Sequence, residues 1–472
     1  MASLNMKKSQ FGIIGLGTMG RNFLLNVAEH DFSCVGYDLD AAKRKLLLEE
    51  GASWNLQTAE DLSGFVEKLE KPRKIMILVP AQAVDIVIND LINHLDKGDI
   101  VIDGGNSHFS DTERREKLLN DSGFEFLGVG ISGGEEGARH GASIMIGGKR
   151  EIYETVREIF EAASAKVGGE PCAAHVGKGS AGHFVKMVHN GIEYGLMQLI
   201  AETYDILKRG LEFEIDEIAG TFEDWNEGEL NSFLMEITAK VLHKKDAETE
   251  NYLAEMILDT AGQKGTGKWT SQAAMDFGIP VPTIDSAVTM RQISAMKGER
   301  LDASRILGTQ VVPNEKLREL LSVVDLRRGL WAGFVITFAQ GLSLLRAASL
   351  GKNYQVSLSQ IARIWRGGCI IRAKILEKIR QAFAGNESLP NLLLDDYFAE
   401  KMKIRWADLL KIVITVSPTA IPVSSFAASL NYFNAYRTER LPANLIQAQR
   451  DFFGAHTYQR IDKEGIFHTP DW

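Results

Sequence analysis

Phe11-Gly12-Ile13-Ile14-Gly15-Leu16-Gly17-Thr18-Met19-Gly20 is the stretch on which the fold turns. Its first four residues read as a short buried strand. Beyond it, Arg21-Asn22-Phe23-Leu24-Leu25-Asn26-Val27 carries apolar residues at helical spacing. A GxGxxG pattern between a strand and a helix, near the start of a chain, predicts a dinucleotide site. Gly15 and Gly17 permit a tight turn and close approach of a pyrophosphate. Gly20 lets the helix pack on the sheet, and the helix N-terminus offers its N–H groups to the phosphate charge. Alone the pattern is weak, and a purely structural glycine turn is the competing reading.

Outward from this stretch, Ser33-Cys34-Val35-Gly36-Tyr37-Asp38 reads as a second strand, and Asp38 stands eighteen positions beyond Gly20. A carboxylate there suits the hydroxyls of an adenosine ribose. Alternatively, Asp38 and Asp40 cap the next helix. Both hold if Asp38 takes the ribose and Asp40 the cap. KIMILVP (74–80), DIVIDGG (99–105), FEFLGVGIS (124–132) and ASIMIGG (142–148) continue the strands, with helical patterns between the earlier ones. Such alternation predicts a parallel, doubly wound, Rossmann-type domain over residues 1–178.

From 179 to 437 helical periodicity prevails, which predicts a large all-α domain. Phe184-Val185 before Asn190-Gly191-Ile192 matches Phe334-Val335 before Gln340-Gly341-Leu342, and Trp225-Asn226-Glu227-Gly228 matches Trp365-Arg366-Gly367-Gly368. These pairs predict a duplicated domain, although matches so short also arise by chance. Residues 438–472 read as a tail too aromatic to be loose, expected to dock on something.

A chain of 472 residues calls for two or three domains. A net charge of −9 argues against nucleic acid as the partner. Cys34, Cys172 and Cys369 form no CxxC pair, which suits a reducing compartment and suggests no metal site. The start, MASLNMKKSQ, has no apolar run of signal-peptide length. The longest apolar run, between Arg328 and Arg346, is interrupted by Thr337 and Gln340 and reads as a buried core helix rather than a membrane span. The expected location is the cytoplasm.

The most informative segment is Ala181-Gly182-His183-Phe184-Val185-Lys186-Met187-Val188-His189-Asn190-Gly191-Ile192-Glu193-Tyr194. Lys186, His189, Asn190, Glu193 and Tyr194 share one helix face, which thus carries a base, a hydrogen-bonding pair, a carboxylate and a phenol. A solvated stripe is the alternative, but Val185, Met187, Val188 and Ile192 on the other faces count against full exposure. Asp103-Gly104-Gly105-Asn106-Ser107 places Asn106 at the carboxyl edge of the sheet, where ligands of this fold bind. Ile131-Ser132-Gly133-Gly134 offers a hydroxyl and N–H groups to a carboxylate. Gly262-Gln263-Lys264-Gly265-Thr266-Gly267-Lys268-Trp269 imitates a P-loop, but Trp269 stands where magnesium needs Ser or Thr. A nucleoside triphosphate is rejected there, while Lys264 remains suited to a phosphate.

DGGNS, SGGEEGAR, GHFVKMVHNGIEYG, AGQKGTGKW, WRGGCIIR and LPANLIQAQRDFFGAHTY, in this order over nearly the whole chain, resemble 6-phosphogluconate dehydrogenase. The resemblance implies oxidative decarboxylation of 6-phosphogluconate to ribulose 5-phosphate, a step of the pentose phosphate pathway. It also implies a homodimer whose tails reach into the partner's active site. Carried over by motif, Lys186 is the general base and Glu193 the general acid. Asn106, Ser132, Gly133, Gly134, His189 and Asn190 hold the substrate's carboxylate and hydroxyls. Tyr194, Lys264 and Arg291 contact the phosphate, and Arg450 and His456 complete the site from the other subunit. The expected coenzyme contacts are Gly15, Leu16, Gly17, Thr18, Met19, Gly20, Asp38, Val79, Pro80 and Asn106, with no metal.

The sequence departs from the family at the coenzyme. The commonest members prefer NADP and carry Asn-Arg-Thr after the second strand, where Asp38-Leu39-Asp40 stands here. A lysine common after the third strand is replaced by Pro80. NAD is therefore expected in preference to NADP. The competing functions are another β-hydroxyacid dehydrogenase, which the phosphate set Lys264, Arg291 and Arg450 disfavours, and a non-catalytic dinucleotide sensor, which has no need of both Lys186 and Glu193.

Overall fold

The computed structural model describes residues 8–308 and 317–472. Residues 1–7 of the N-terminal stretch read above lie outside the described residues. Ten strands form: β1 (Phe11–Ile14), β2 (Cys34–Tyr37), β3 (Leu56–Thr58), β4 (Lys74–Ile77), β5 (Ile100–Asp103), β6 (Glu125–Ser132), β7 (Ser143–Gly148), β8 (Lys166–Val167), β9 (Glu170–Pro171) and β10 (Ala173–Gly177), counted among the described residues. Eight make one sheet in the order β10-β7-β6-β5-β4-β1-β2-β3, while β8 and β9 form a separate small hairpin. The chain runs outward from β1 through β2 to β3, then returns to place β4 against the other side of β1. That reversal opens a crevice at the carboxyl ends of β1 and β4, the place where open α/β sheets bind ligands.

The sheet is not parallel throughout, as the strand-helix alternation had suggested. β7 pairs antiparallel with β6, and β10 runs parallel to β7, so both oppose the other six. Ten residues separate β6 from β7, and they hold only the short helix Gly134–His140. A parallel crossover needs a dozen or so residues, so β7 returns antiparallel. The strands β3, β8, β9 and β10 were not anticipated either. β3 is a half-buried edge strand of three residues, too short for an alternating pattern to register. With β3 counted, KIMILVP supplies the fourth strand in chain order, not the third.

The helical part begins at Ala181, and its two halves repeat one element order. A long helix, Ala181–Asp205 or Val323–Gly351, is followed by a helix that ends at a buried tryptophan. These are Ile215–Asn226 with Trp225, and Leu358–Ile364 with Trp365 just beyond it. Phe233–His243 corresponds to Ile375–Gly385. The residues leading into those two helices pair with each other: Phe233 N donates to Arg372 O at 3.0 Å and Lys374 N to Asn231 O at 2.9 Å. Pro282–Ala295 and Ser424–Tyr436 likewise start from Val281 (φ −129°, ψ 48°) and Val423 (φ −128°, ψ 48°). The same dihedrals at corresponding positions, and pairing across the halves, describe an internal pseudo-two-fold.

The two long helices cross in the core, where Gly341 lies against Ile192 and Gly195 against Thr337. Val323–Gly351 is long and apolar enough to cross a membrane, yet most of its apolar window is buried inside the protein. Thr337 is bonded to Gly333 O and Gln340 to Thr283, so the polar interruptions of that run are satisfied within the core. The three cysteines are free and buried.

Glycine brings the first long helix onto the sheet. A Cβ on Gly182 would stand 2.2 Å from Gly128 O and 2.5 Å from Met145 O. A Cβ on Gly130 would stand 2.4 Å from the Lys186 Cβ. The helix therefore lies directly on β6 and β7, and its first turns open at the carboxyl edge of the sheet.

Candidate active site

A cleft of about 1050 Å³ runs from the glycine-rich turn after β1 to the helix Pro282–Ala295. Gly17, Thr18, Met19 and Gly20 form one end, and Val79, Pro80 and Asn106 the adjoining wall. Gly15 adopts φ +100°, and a Cβ there would lie 2.6 Å from Leu78 O. A Cβ on Gly20 would lie 1.9 Å from Gly15 O, whereas Gly17 has nothing within 4 Å. The turn is thus closed on its protein side and open on its cleft side. Gly17 caps the helix Thr18–Glu29 without a side-chain acceptor, leaving its first N–H groups to a ligand. These features fit a dinucleotide pyrophosphate. Gly15 and Leu16 lie beneath this surface, and Leu16 is fully buried.

Asp38, at the end of β2, turns toward the glycine-rich turn. Its Oδ2 accepts from Leu16 N at 2.8 Å and its Oδ1 from Asp40 N at 2.9 Å. Asp40 caps the next helix by accepting from Ala42 N. Lys43 stands 3.4 Å from Asp38 Oδ2, and Arg44 donates to Asp38 O at 2.6 Å. Leu39 is 88% exposed beside them.

The polar face of the helix Ala181–Asp205 is turned inward, not to solvent. Lys186, His189 and Tyr194 are buried, and Glu193 keeps about a fifth of its side chain exposed (21%). Lys186 Nζ donates to Asn190 Oδ1 at 2.8 Å, and Asn190 Nδ2 donates to Thr266 Oγ1 at 3.1 Å. His189 has Nε2 3.2 Å from Ser132 Oγ and Nδ1 3.1 Å from Asn190 Oδ1. Desolvation lowers the Lys186 pKa, partly opposed by Glu193 and Cys369. Desolvation raises the Glu193 pKa, partly opposed by Lys186 and Arg291. Burial therefore drives the lysine toward its neutral form and the glutamate toward its acid form. Two titratable groups displaced in opposite senses are what an acid–base pair requires.

Gly133 and Gly134 turn at positive φ after Ser132. A Cβ on Gly133 would meet Gly368 O at 2.6 Å, which ties this turn to the second helical half. At the far end of the cleft, the Arg291 guanidinium lies 3.5 Å over the Tyr194 ring and donates to Gly262 O. Lys264 is exposed in the same wall. Arg450 and His456 do not join this cleft. Both are exposed on the helix Ala443–Gly454 and the loop after it, whose side-chain hydrogen bonds stay within the tail.

Several contributors were missed from sequence. Thr266 and Trp269 line the cleft, and Trp269 meets His108 edge-on at 5.0 Å, joining the two domains beside the site. The motif read as a failed P-loop was the signal for them. Arg115 is buried and bonds Asp103, Ser107, Asp85 and Ala81 O, linking the turn after β4 to the turn that carries Asn106. No local pattern marks that arginine. Among the described residues, no group of three or more His, Cys, Asp or Glu is placed to hold a metal ion.

Residues 10–177 match the family described as NAD binding domain of 6-phosphogluconate dehydrogenase, and residues 182–472 match 6-phosphogluconate dehydrogenase, C-terminal domain. A Bacillus subtilis protein named 6-phosphogluconate dehydrogenase, NADP(+)-dependent, decarboxylating is 50% identical over 470 residues, 99% of this chain and 100% of that protein. An Escherichia coli 6-phosphogluconate dehydrogenase, decarboxylating, is 48% identical over 470 residues, 99% of this chain and 100% of its own. The Plasmodium falciparum 6-phosphogluconate dehydrogenase, solved in apo form and in complexes with NADP+ and with 6-phosphogluconate, superposes with a TM-score of 0.94. It is 44% identical and covers 98% of this chain and 100% of its own.

Proposed function

Since the chain belongs to the decarboxylating 6-phosphogluconate dehydrogenases, we propose that Lys186 and Glu193 are its general base and general acid. The observation that carries this is the buried face on which desolvation shifts the two pKa values in opposite senses. A bound nicotinamide dinucleotide supplies the hydride acceptor. Neutral Lys186 takes the proton of the C3 hydroxyl as hydride leaves C3. The protonated lysine then hydrogen-bonds the new C3 carbonyl oxygen while the C1 carboxylate departs as carbon dioxide, its electron pair flowing into the ketone. Glu193 protonates C1 of the resulting enediol, and ribulose 5-phosphate forms. Asn190 orients Lys186 through their 2.8 Å hydrogen bond. His189, with Ser132, Gly133, Gly134 and Asn106, is assigned to the substrate's carboxylate and hydroxyls. Tyr194, Lys264 and Arg291 are assigned to its phosphate, where a guanidinium and an ammonium suit a dianion.

The finer proposals are three. NAD is preferred over NADP, on the strength of the Asp38 carboxylate and the missing cations at Leu39 and Pro80. This would set the chain apart from the Bacillus subtilis relative, whose name gives NADP. The protein is a homodimer in which Arg450 and His456 serve the partner's site. Support comes from the tail, which leaves Leu445, Ile446, Phe452 and Phe453 about 60–70% exposed, 59% to 71%, a surface that calls for cover. The protein resides in the cytoplasm, in keeping with three free, buried cysteines.

Single-turnover kinetics test the acid–base assignment. Lys186→Met is expected to bind 6-phosphogluconate and to lose on the order of 10²–10⁴-fold in oxidation rate. Glu193→Gln is expected to slow exchange of the product's C1 hydrogen with solvent more than it slows hydride transfer. Near-normal oxidation in the first, or unchanged exchange in the second, removes that residue from its role.

A further inference from the structure

The tail folds on itself around one carboxylate. Asp451 is fully buried within the helix Ala443–Gly454, although the phenylalanines that follow it are exposed. Four donors from two later segments converge on it. Oδ1 accepts from Thr457 N at 2.9 Å and His468 Nδ1 at 2.9 Å. Oδ2 accepts from Thr469 N at 3.0 Å and Trp472 Nε1 at 3.0 Å. A carboxylate has about four lone-pair positions, and here all four are used. A neutral side chain cannot replace it: an amide presents only one acceptor oxygen and would turn N–H groups toward existing donors.

The two residues expected at the partner's phosphate flank this carboxylate in the chain. Arg450 precedes it, and its Nη1 donates to Gln447 Oε1 at 3.1 Å. The amide of the same Gln447 donates to the backbone oxygens of Thr457 and His456. His456 packs against Gly454, where a Cβ would stand 2.7 Å from its Nε2. Ala455 and Thr457 hold positive φ on either side of His456. Such a turn is unfavourable for these residues and is held by the Thr457 N–H bond to Asp451. Beyond it, the strand pair of Tyr458 with Phe467 brings His468, Thr469 and Trp472 back to the carboxylate.

We propose that Asp451 is the positioning residue of the tail: it closes residues 450–472 into one hook and so fixes Arg450 and His456 in the arrangement that reaches the partner's substrate phosphate. This rests on the shared-site reading above. Burial opposes ionisation of Asp451, but the donors from Thr469, His468, Trp472 and Thr457 outweigh it and hold its pKa at about 2. The carboxylate therefore stays ionised, with its acceptor positions available, well below neutral pH. Arg450 and His456 bring the binding groups, and the loss of fixed geometry between them raises the ordering cost of binding.

The test compares Asp451→Asn, Arg450→Ala/His456→Ala and the triple variant, each as the full-length assembled protein, by steady-state kinetics with 6-phosphogluconate and by sedimentation. Asp451→Asn is expected to raise the KM for 6-phosphogluconate about tenfold or more, with a smaller change in kcat, no change in the KM for the dinucleotide and an intact assembly. Trp472→Phe, which removes one donor only, is expected to give a change in the same sense and smaller. In the triple variant, Asp451→Asn should add nothing to the KM of the double variant, because it acts only through those two residues. If Arg450→Ala/His456→Ala leaves the KM unchanged, the shared-site reading falls and takes this inference with it. If the double variant raises the KM but Asp451→Asn does not, or if Asp451→Asn adds its full effect in the triple variant, the positioning role alone is overturned.

Discussion

Asp38 turns its carboxylate to the glycine-rich turn rather than capping the next helix, a task that falls to Asp40. Its Oδ2 accepts from Leu16 N and from Lys43 Nζ, whereas its Oδ1 accepts from Asp40 N alone and keeps accepting capacity. An adenosine 2′-hydroxyl can still donate to it, whereas a 2′-phosphate brings about two negative charges and no donor at that position. Lys43 offsets part of the repulsion from 3.4 Å away, which moderates the discrimination. Like charges at a binding site can cost several kcal/mol, and about 1.4 kcal/mol is tenfold. NAD is expected to exceed NADP in kcat/KM by roughly ten- to a thousandfold. Asp38→Asn with Leu39→Arg should move the preference toward NADP, since position 39 is already in solvent and free to swing a guanidinium onto a phosphate. Initial rates with the two coenzymes decide the matter: parity or an NADP preference in the unaltered protein would mean that Lys43 and Arg44, not Asp38, govern the site.

At the scale of elements, the legible features were those written in short local patterns. The glycine-rich turn was readable because strand, turn and helix occupy ten consecutive residues. The buried polar face proposed to be catalytic was readable because one helix carries Lys186, His189, Asn190, Glu193 and Tyr194 at helical spacing. The reversal at β7 was not, because a strand's direction depends on how far the preceding connection can carry the chain. Arg115 was not, because its partners Asp85 and Asp103 come from a helix and a strand elsewhere in the chain. Gly128, Gly130 and Gly182 had no meaning in sequence, since what each avoids lies elsewhere in the chain: the Thr112 and His183 side chains, the Lys186 Cβ, and the Gly128 and Met145 carbonyls.

Glu202 is another such case. It lies buried on the first long helix and accepts from Ser425 N and Phe426 N at the start of Ser424–Tyr436. Burial pushes its pKa from 4.5 up to about 7 against those donors. Between these two values the folded chain holds a proton that the unfolded chain releases. Stability should therefore fall as pH rises from about 4.5 to 7 and level off above. At about 1.4 kcal/mol per unit, the whole effect is on the order of 3 kcal/mol. Glu202→Gln should flatten that part of the profile, as read from denaturant midpoints between pH 5 and 8. An identical slope in the variant would assign the dependence to other groups.

For the whole molecule, the site is incomplete within one chain if the phosphate needs Arg450 and His456. Mixing Lys186→Met with Arg450→Ala chains should then regain activity through hybrid dimers, because one of the two sites draws every residue from an unaltered source. About a quarter of the unaltered activity is the ceiling for random reassortment, half the dimers being hybrid with one working site each. A mixture no more active than its two components measured apart would place Arg450 outside the partner's site.

The internal pseudo-two-fold relates two long helices, Ala181–Asp205 and Val323–Gly351, within one chain. Across the crossing of the two long helices, the position that holds Lys186 in one half holds Ile336 in the other, and Asn190 is answered by Gln340, which caps a neighbouring helix instead of bonding a buried lysine. In an ordinary dimer of identical chains, every substitution appears on both sides of the axis, so neither copy can specialise alone. Here the axis lies within a single polypeptide, and each side mutates independently. One side can carry the proposed chemistry while the other only supports it, and the two never separate on dilution.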